Sequence, residues 1–158
     1  MANLGDESRP MWNLSARGEE VVIAVLEATS QHAGLRTDEQ AGMTFPAAGL
    51  KVLATDEGAE IQRLHCDYMP AQCAGRELYC RSALWAAHAP FEIVARAGTA
   101  GSLQETIRVA PQQVLYFRSD FRHGGGRHVS YMPRFHGYEL PRGEKPPFDS
   151  VFYPFDSV

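Results

Sequence analysis

His65 and Asp67 stand two residues apart in the stretch Gln62-Arg63-Leu64-His65-Cys66-Asp67-Tyr68. On a strand, residues i and i+2 point to the same face, so an imidazole and a carboxylate at this spacing can share one ion. Two ligands do not close a metal site, and a third must come from elsewhere in the chain. His123 is the candidate. Pro111 leads a turn into an apolar run ending at Phe117, a polar turn follows at Ser119-Asp120, and His123 comes next with glycines at 124 to 126 behind it. Those glycines let backbone pass close to whatever His123 holds. His128, across the same glycines, is the competitor. Two histidines and one carboxylate on one face leave three positions of an octahedron open, the ligand set of non-haem Fe(II) oxygenases. A nearby arginine can grip the far carboxylate of a bidentate oxo-acid through two parallel hydrogen bonds. Arg134 is the candidate, with His136 and Tyr138 on its face by alternation, and Arg127 is the runner-up.

Positioning these groups calls for β structure. One helix is expected from Gly18 to about His32, where Val21, Val22, Val25, Leu26 and Ala28 recur at helical spacing, acidic Glu19 and Glu20 open it and Gly34 closes it. Its expected place is on the outside of a sheet. Short β-rich runs then alternate with Gly, Pro and Asp. The expected strands are Leu50 to Ala54, Glu60 to His65, Leu78 to Ala86, Phe91 to Ala95, Leu103 to Val109, Gln113 to Arg118, a short piece near Arg127 to Ser130, and Arg134 to Leu140. About eight antiparallel strands in two facing sheets make a jelly roll. Residues 1–17 read as an irregular lead-in, 18–48 as helix and loop, 49–140 as the jelly-roll core and 141–158 as a Pro-rich tail anchored by aromatics. Residues 1–158 thus form a single domain.

Composition narrows the functional classes. The chain has 158 residues, 44% apolar and 22% charged, enough for one core. A net charge of −4 with scattered Lys and Arg gives no footprint for nucleic acid. The three cysteines, Cys66, Cys73 and Cys80, lack a CxxC pair and read as reduced thiols. No apolar run approaches the roughly 20 residues that a membrane-spanning helix needs, and the N-terminus resembles no targeting peptide. A cytoplasmic location is therefore expected, with no membrane partner. Oligomeric state has no signature in the chain.

The ordered pattern of His65-x-Asp67, then Pro111, Phe117 and His123-x-Gly125, then Arg134 resembles the 2-oxoglutarate and Fe(II)-dependent dioxygenase superfamily. The strings Gln62 to Tyr68 and Arg134-Phe135-His136-Gly137-Tyr138 resemble a group of small members with Q-x-x-H-x-D-Y and R-x-H-x-Y stretches. The resemblance covers roughly residues 49 to 140. It implies a mostly β double-stranded β-helix, a jelly roll or cupin-like barrel with one or two flanking helices. It implies His65, Asp67 and His123 as iron ligands and Arg134 as partner of the 2-oxoglutarate C5 carboxylate. The implied reaction couples decarboxylation of 2-oxoglutarate to succinate and CO2 with O2-dependent oxidation of an organic substrate, ascorbate serving as an optional reductant. Retention of Asp67, which related halogenases replace by a small residue, favours hydroxylation. His136 stands where many members carry Ser or Thr, and is a candidate for a second co-substrate contact. Tyr79 and Arg81 are others, sharing one face of the third strand with Ala83 and Trp85, while Cys80, Ser82 and Leu84 take the opposite one.

Plainer readings stand beside these. His65 and Asp67 could be an exposed strand end with a local ion pair, and Arg134 could pair with a surface carboxylate. Gln62 faces away from His65 if the strand is regular, and joins the site if the strand bulges. The rival functions are a cupin-type metal-dependent oxidase without an oxo-acid, and a non-catalytic jelly-roll binding module. The substrate carries no signature.

Overall fold

The computed structural model describes residues 11–34, 42–68, 81–96, 104–128 and 130–144. Ser15 caps helix α1 (Ala16–His32), its hydroxyl accepting from the Gly18 amide at 3.2 Å. The helix buries Val22, Leu26 and Ser30, spaced by four along one stripe. The described residues also form nine strands: β1 (Met11–Trp12), β2 (Met43–Thr44), β3 (Lys51–Thr55), β4 (Arg81–Trp85), β5 (Phe91–Arg96), β6 (Gln104–Val109), β7 (Val114–Arg118), β8 (His123–Gly125) and β9 (Met132–Pro141).

All pairings are antiparallel and form two sheets. The larger has the order β1-β3-β9-β4-β7, with β2 also pairing β9, and the smaller the order β6-β5-β8. The stretch before Asp67 extends the small sheet through a bridge between His65 and His123 on β8. From β6 onward the chain passes back and forth between the sheets, β6 and β8 in the small one and β7 and β9 in the large one, the winding of a double-stranded β-helix. The fold is a mostly β jelly roll, as the sequence predicts.

Alternation along β9 and β4 divides the apolar residues between two cores. Between the sheets, Leu84, Phe91, Ile93, Val109 and Met132 pack together. On the outer face of the large sheet, Ala83 meets Val22 and Leu26 of the helix together with Phe45 and Leu50. Leu26 lies close over Gly137 of β9, where an added Cβ would come within 2.9 Å of both Leu26 and Leu50 side chains. Tyr116 of β7 ties the helix down further, donating to the Leu26 carbonyl at 2.6 Å. The helix therefore lies outside the sheet, as expected.

Several expectations are corrected. The lead-in is not wholly irregular, because Met11 and Trp12 pair with Leu53 and Val52 of β3 and the helix begins at Ala16. The strand expected near Arg127 to Ser130 lies earlier, at His123–Gly125, since those glycines cross another backbone closely. Glu60 to His65 is not a regular strand, and its only ladder partner there is the bridge at His65. The aromatic tail beyond residue 144, Tyr79, Cys73 and Cys80 lie outside the described residues. No helix among the described residues is long and apolar enough to cross a membrane.

Candidate metal centre

The irregular stretch before Asp67 is a bulge. Gln62 donates its amide to the Gly125 carbonyl at 2.8 Å, while His65 and His123 exchange both backbone bonds at 2.8 and 2.9 Å. Arg63 and Leu64 therefore stand opposite the single residue Gly124. A Cβ on Gly124 would lie 2.6 Å from the Gln62 carbonyl oxygen, so glycine is required where the bulge crosses β8. The extra residue breaks strict alternation, and the side chains of Gln62 and His65 both line the cavity between the sheets. Gln62 Oε1 accepts from the Gly125 amide at 3.0 Å.

Asp67 follows, its amide and that of Tyr68 both donating to the Ser119 carbonyl at 2.9 Å. This crossing brings three donor groups together: one ligand atom each from His65, Asp67 and His123, all within 4.8 Å of one another. His65 Nε2 is 3.9 Å and His123 Nε2 is 3.7 Å from Asp67 Oδ1. The two rings are tilted by 49° with centroids 4.6 Å apart.

The other ring nitrogens decide what the Nε2 atoms can do. His65 Nδ1 lies 3.0 Å from the Arg63 carbonyl, and His123 Nδ1 lies 2.9 Å from the Phe121 carbonyl. A carbonyl oxygen only accepts, so each Nδ1 carries the proton. In the neutral ring Nε2 then holds a lone pair aimed at the same point as the Asp67 carboxylate. Burial, reinforced by His123, pushes His65 down to about 4, with Asp67 offsetting only part of this. Burial acts to raise the Asp67 carboxyl, but His123, His136 and His65 more than offset it and hold it well below the usual carboxylate range. A neutral imidazole and an ionised carboxylate are the protonation states a metal requires. The donor set fits a divalent ion of the kind held by a facial triad of two histidines and one carboxylate.

Arg134 and His136 line the same cavity from β9. Arg134 is buried, donates from Nη1 to Thr55 Oγ1 at 2.8 Å and sits 5.6 Å from the centre of the Phe91 ring. His136 Nε2 is 3.7 Å from Asp67 Oδ2, and its ring packs edge-on against Tyr138. The cavity holds about 70 Å³, several times the roughly 10–15 Å³ one water needs on the same measure. Apolar residues, among them Leu53, Leu84 and Ile93, supply much of its wall.

Other candidates fall elsewhere. His128 is buried but is not among the three converging residues. Arg127 is exposed and pairs with Glu60 at 2.5 Å. Arg81 points to the helix side of the sheet and bonds the fully buried Glu139, Nε to Oε2 at 2.8 Å, so it does not line the cavity. Cys66 is a buried free thiol whose Sγ donates to the Asp120 carbonyl. The sequence assigned no role to Ser82 or Thr55. Ser82 donates to Asp67 Oδ2, and Thr55 holds Arg134. Alternation set Ser82 on the face opposite Arg81, but nothing in the sequence said which of the two faces turns inward.

No family model matches the chain, and no curated protein matches it in sequence. Solved structures do. HygX from Streptomyces hygroscopicus with nickel and 2-oxoglutarate bound aligns at a TM-score of 0.66 and 9% identity, covering 92% of this chain and 74% of that one. The same protein with nickel, 2-oxoglutarate and hygromycin B bound aligns at 0.63 and 8% identity, with the same coverage. A Pseudomonas putida prolyl-4-hydroxylase aligns at 0.57 and 13% identity, covering 89% of this chain and 77% of that one. The chain shares their fold. Within that fold it carries a convergent His-Asp-His triad.

Proposed function

We propose that this chain is an Fe(II)- and 2-oxoglutarate-dependent oxygenase that hydroxylates an organic substrate and releases succinate and CO2. One observation carries the reading: His65 Nε2, Asp67 Oδ1 and His123 Nε2 converge inside the barrel, with both Nδ1 atoms committed to backbone carbonyls. His65, Asp67 and His123 would hold the iron on one face. Bound Fe(II) would supply O2 activation, coupled to decarboxylation of a chelated 2-oxo acid.

The chain's own residues do the rest. Arg134, fixed by Thr55 and by the Phe91 ring, presents its guanidinium to the cavity for the distal carboxylate of the co-substrate. The apolar wall of Leu53, Leu84 and Ile93 excludes water around the co-substrate's carbon chain. His136 and Tyr79 remain candidates for further co-substrate contacts. The likeness to HygX with nickel and 2-oxoglutarate bound supports the reading at the level of fold.

Anaerobic titration with Fe(II) and 2-oxoglutarate is expected to give the weak visible charge-transfer band of the chelate, and aerobic protein to release succinate. His65→Ala and His123→Ala should each abolish both. Arg134→Ala should weaken 2-oxoglutarate about a hundredfold, in line with losing a charge-assisted fork, while iron still binds. Iron affinity untouched by both histidine changes would sink the metal centre. Full activity in Arg134→Ala would favour a cupin-type oxidase without an oxo-acid.

A further inference from the structure

The two oxygens of Asp67 have different surroundings. Oδ1 faces His65 Nε2 and His123 Nε2, the two imidazole nitrogens aimed at the metal point. Oδ2 faces the other way. It accepts a short hydrogen bond from the Ser82 hydroxyl, and His136 Nε2 lies 3.7 Å from it. Ser82 comes from β4, across the large sheet from Tyr138. It is fully buried, as is Ser119, whose Oγ lies 2.9 Å from Ser82 Oγ. A carboxylate only accepts, so Ser82 spends its one proton on Asp67, and the bond between the two serines must be donated by Ser119. The proton order is therefore fixed along the row Ser119, Ser82, Asp67 Oδ2. Ser119 holds the same residue at its backbone, accepting the Asp67 amide through its carbonyl.

This arrangement bears on how many oxygens Asp67 can give a metal. A carboxylate can bind through one oxygen or chelate through both, and chelation uses up one coordination position. A site that must accept a bidentate oxo-acid and O2 beside three protein ligands has no position to spare. We propose that Ser82 is a positioning residue that keeps Asp67 a one-oxygen ligand, holding Oδ2 away from the metal so that a position stays open for the co-substrate. The inference rests on the proposed function and adds to it a residue outside the ligand set.

Three variants of the full chain test it: Ser82→Ala, Ser82→Thr, which restores the hydroxyl, and Ser82→Cys, which keeps the volume and weakens the donor. Fe(II) affinity is measured by competition with a chromogenic chelator, and 2-oxoglutarate affinity by anaerobic titration of the charge-transfer band. The expected result is a split. Ser82→Ala should bind Fe(II) within about threefold of the parent, yet bind 2-oxoglutarate about tenfold more weakly or worse, at the lower end of what losing an outer partner of a ligand costs. Ser82→Thr should recover most of that loss. Should the alanine variant fail to fold by circular dichroism, Ser82→Cys is expected to show the same split to a smaller degree. Unchanged 2-oxoglutarate affinity in folded Ser82→Ala, or in Ser82→Cys if only that folds, overturns the proposal. A parallel loss of iron and co-substrate also overturns it, because that is what a purely structural serine would give. If the parent chain forms no band at all, the proposed function fails and takes this inference with it.

Discussion

Burial of His65 beside His123 makes its imidazole reluctant to take a proton, and this has a consequence for stability in acid. Below its ordinary value of 6.5 the unfolded chain binds a proton at residue 65, while the folded chain refuses it until about 4. The unfolded state then holds more protons, so stability falls as pH drops through that window. The shift corresponds to a loss of up to about 3 kcal/mol. Asp67 acts in a lower range. Its depressed carboxyl contributes stability that is fully present above its ordinary 3.8 and is lost only as pH falls below that value. Urea melts of EDTA-treated protein at about pH 7 and about pH 4.5 should show the first loss, and His65→Gln should reduce it. Stability that rises on acidification through this range would contradict the burial of a neutral ring. Arg134 and His136 owe their place on the cavity wall to the same period of two that brings them to one face of β9, so their placement was legible in the sequence. The partners of Asp67 were not, since Ser82 and Ser119 come from β4 and from the turn after β7, and nothing local says that they meet.

At the scale of elements, the bulge at Arg63 and Leu64 brings Gln62 and His65 to the same cavity, and Gly124 makes room for it. Gly137 offers a contrast. A methyl at Gly124 meets backbone oxygen at 2.6 Å, whereas one at Gly137 meets the ends of the Leu26 and Leu50 side chains at 2.9 Å, which can turn aside. Gly137→Ala should therefore cost about 1 kcal/mol, and Gly124→Ala about 3 kcal/mol or more. Only Gly124→Ala should also lose Fe(II) binding. Denaturant melts paired with iron titration separate the two, and a harmless Gly124→Ala would mean that the crossing is looser than its geometry. The sequence showed glycines behind His123 but placed the strand near Arg127. Propensity alone does not mark a three-residue strand of His-Gly-Gly, which pairs with Ile93, Val94 and Ala95 of β5 only because the barrel closes there.

Across the whole molecule, the large sheet separates stability from chemistry. One face of β9 carries Arg134 and His136 to the cavity, and the other packs Phe135 against the helix-side core. Arg81 and Glu139 belong to that second side, joined under the helix, where Ser30 reaches Glu139 at 3.4 Å. Leu26, with no exposed surface, is the central contact of the helix. Leu26→Ala should cost about 2–5 kcal/mol of unfolding free energy while leaving Fe(II) and 2-oxoglutarate affinities unchanged, as read by denaturant melts and band titration. A loss of affinity in the folded variant would mean that the sheet transmits strain from one face to the other. The helix, and its place outside the sheet, were legible from its apolar stripe. Which residues of the fourth strand turn inward required the register against β9.

His136 stands beside the carboxylate of the candidate metal centre, and Arg134 lies two residues before it on the same strand, about 7 Å away at the usual rise per residue. That strand is pinned by β3 over residues 132–136 and by β4 over residues 135–139, which fixes its register. Under the proposed reading, a co-substrate must touch the ion at one end and the guanidinium at the other. The strand then works as a gauge. It would measure the number of carbons between two acidic groups, so that length, and not charge alone, would decide which oxo-acid the barrel accepts.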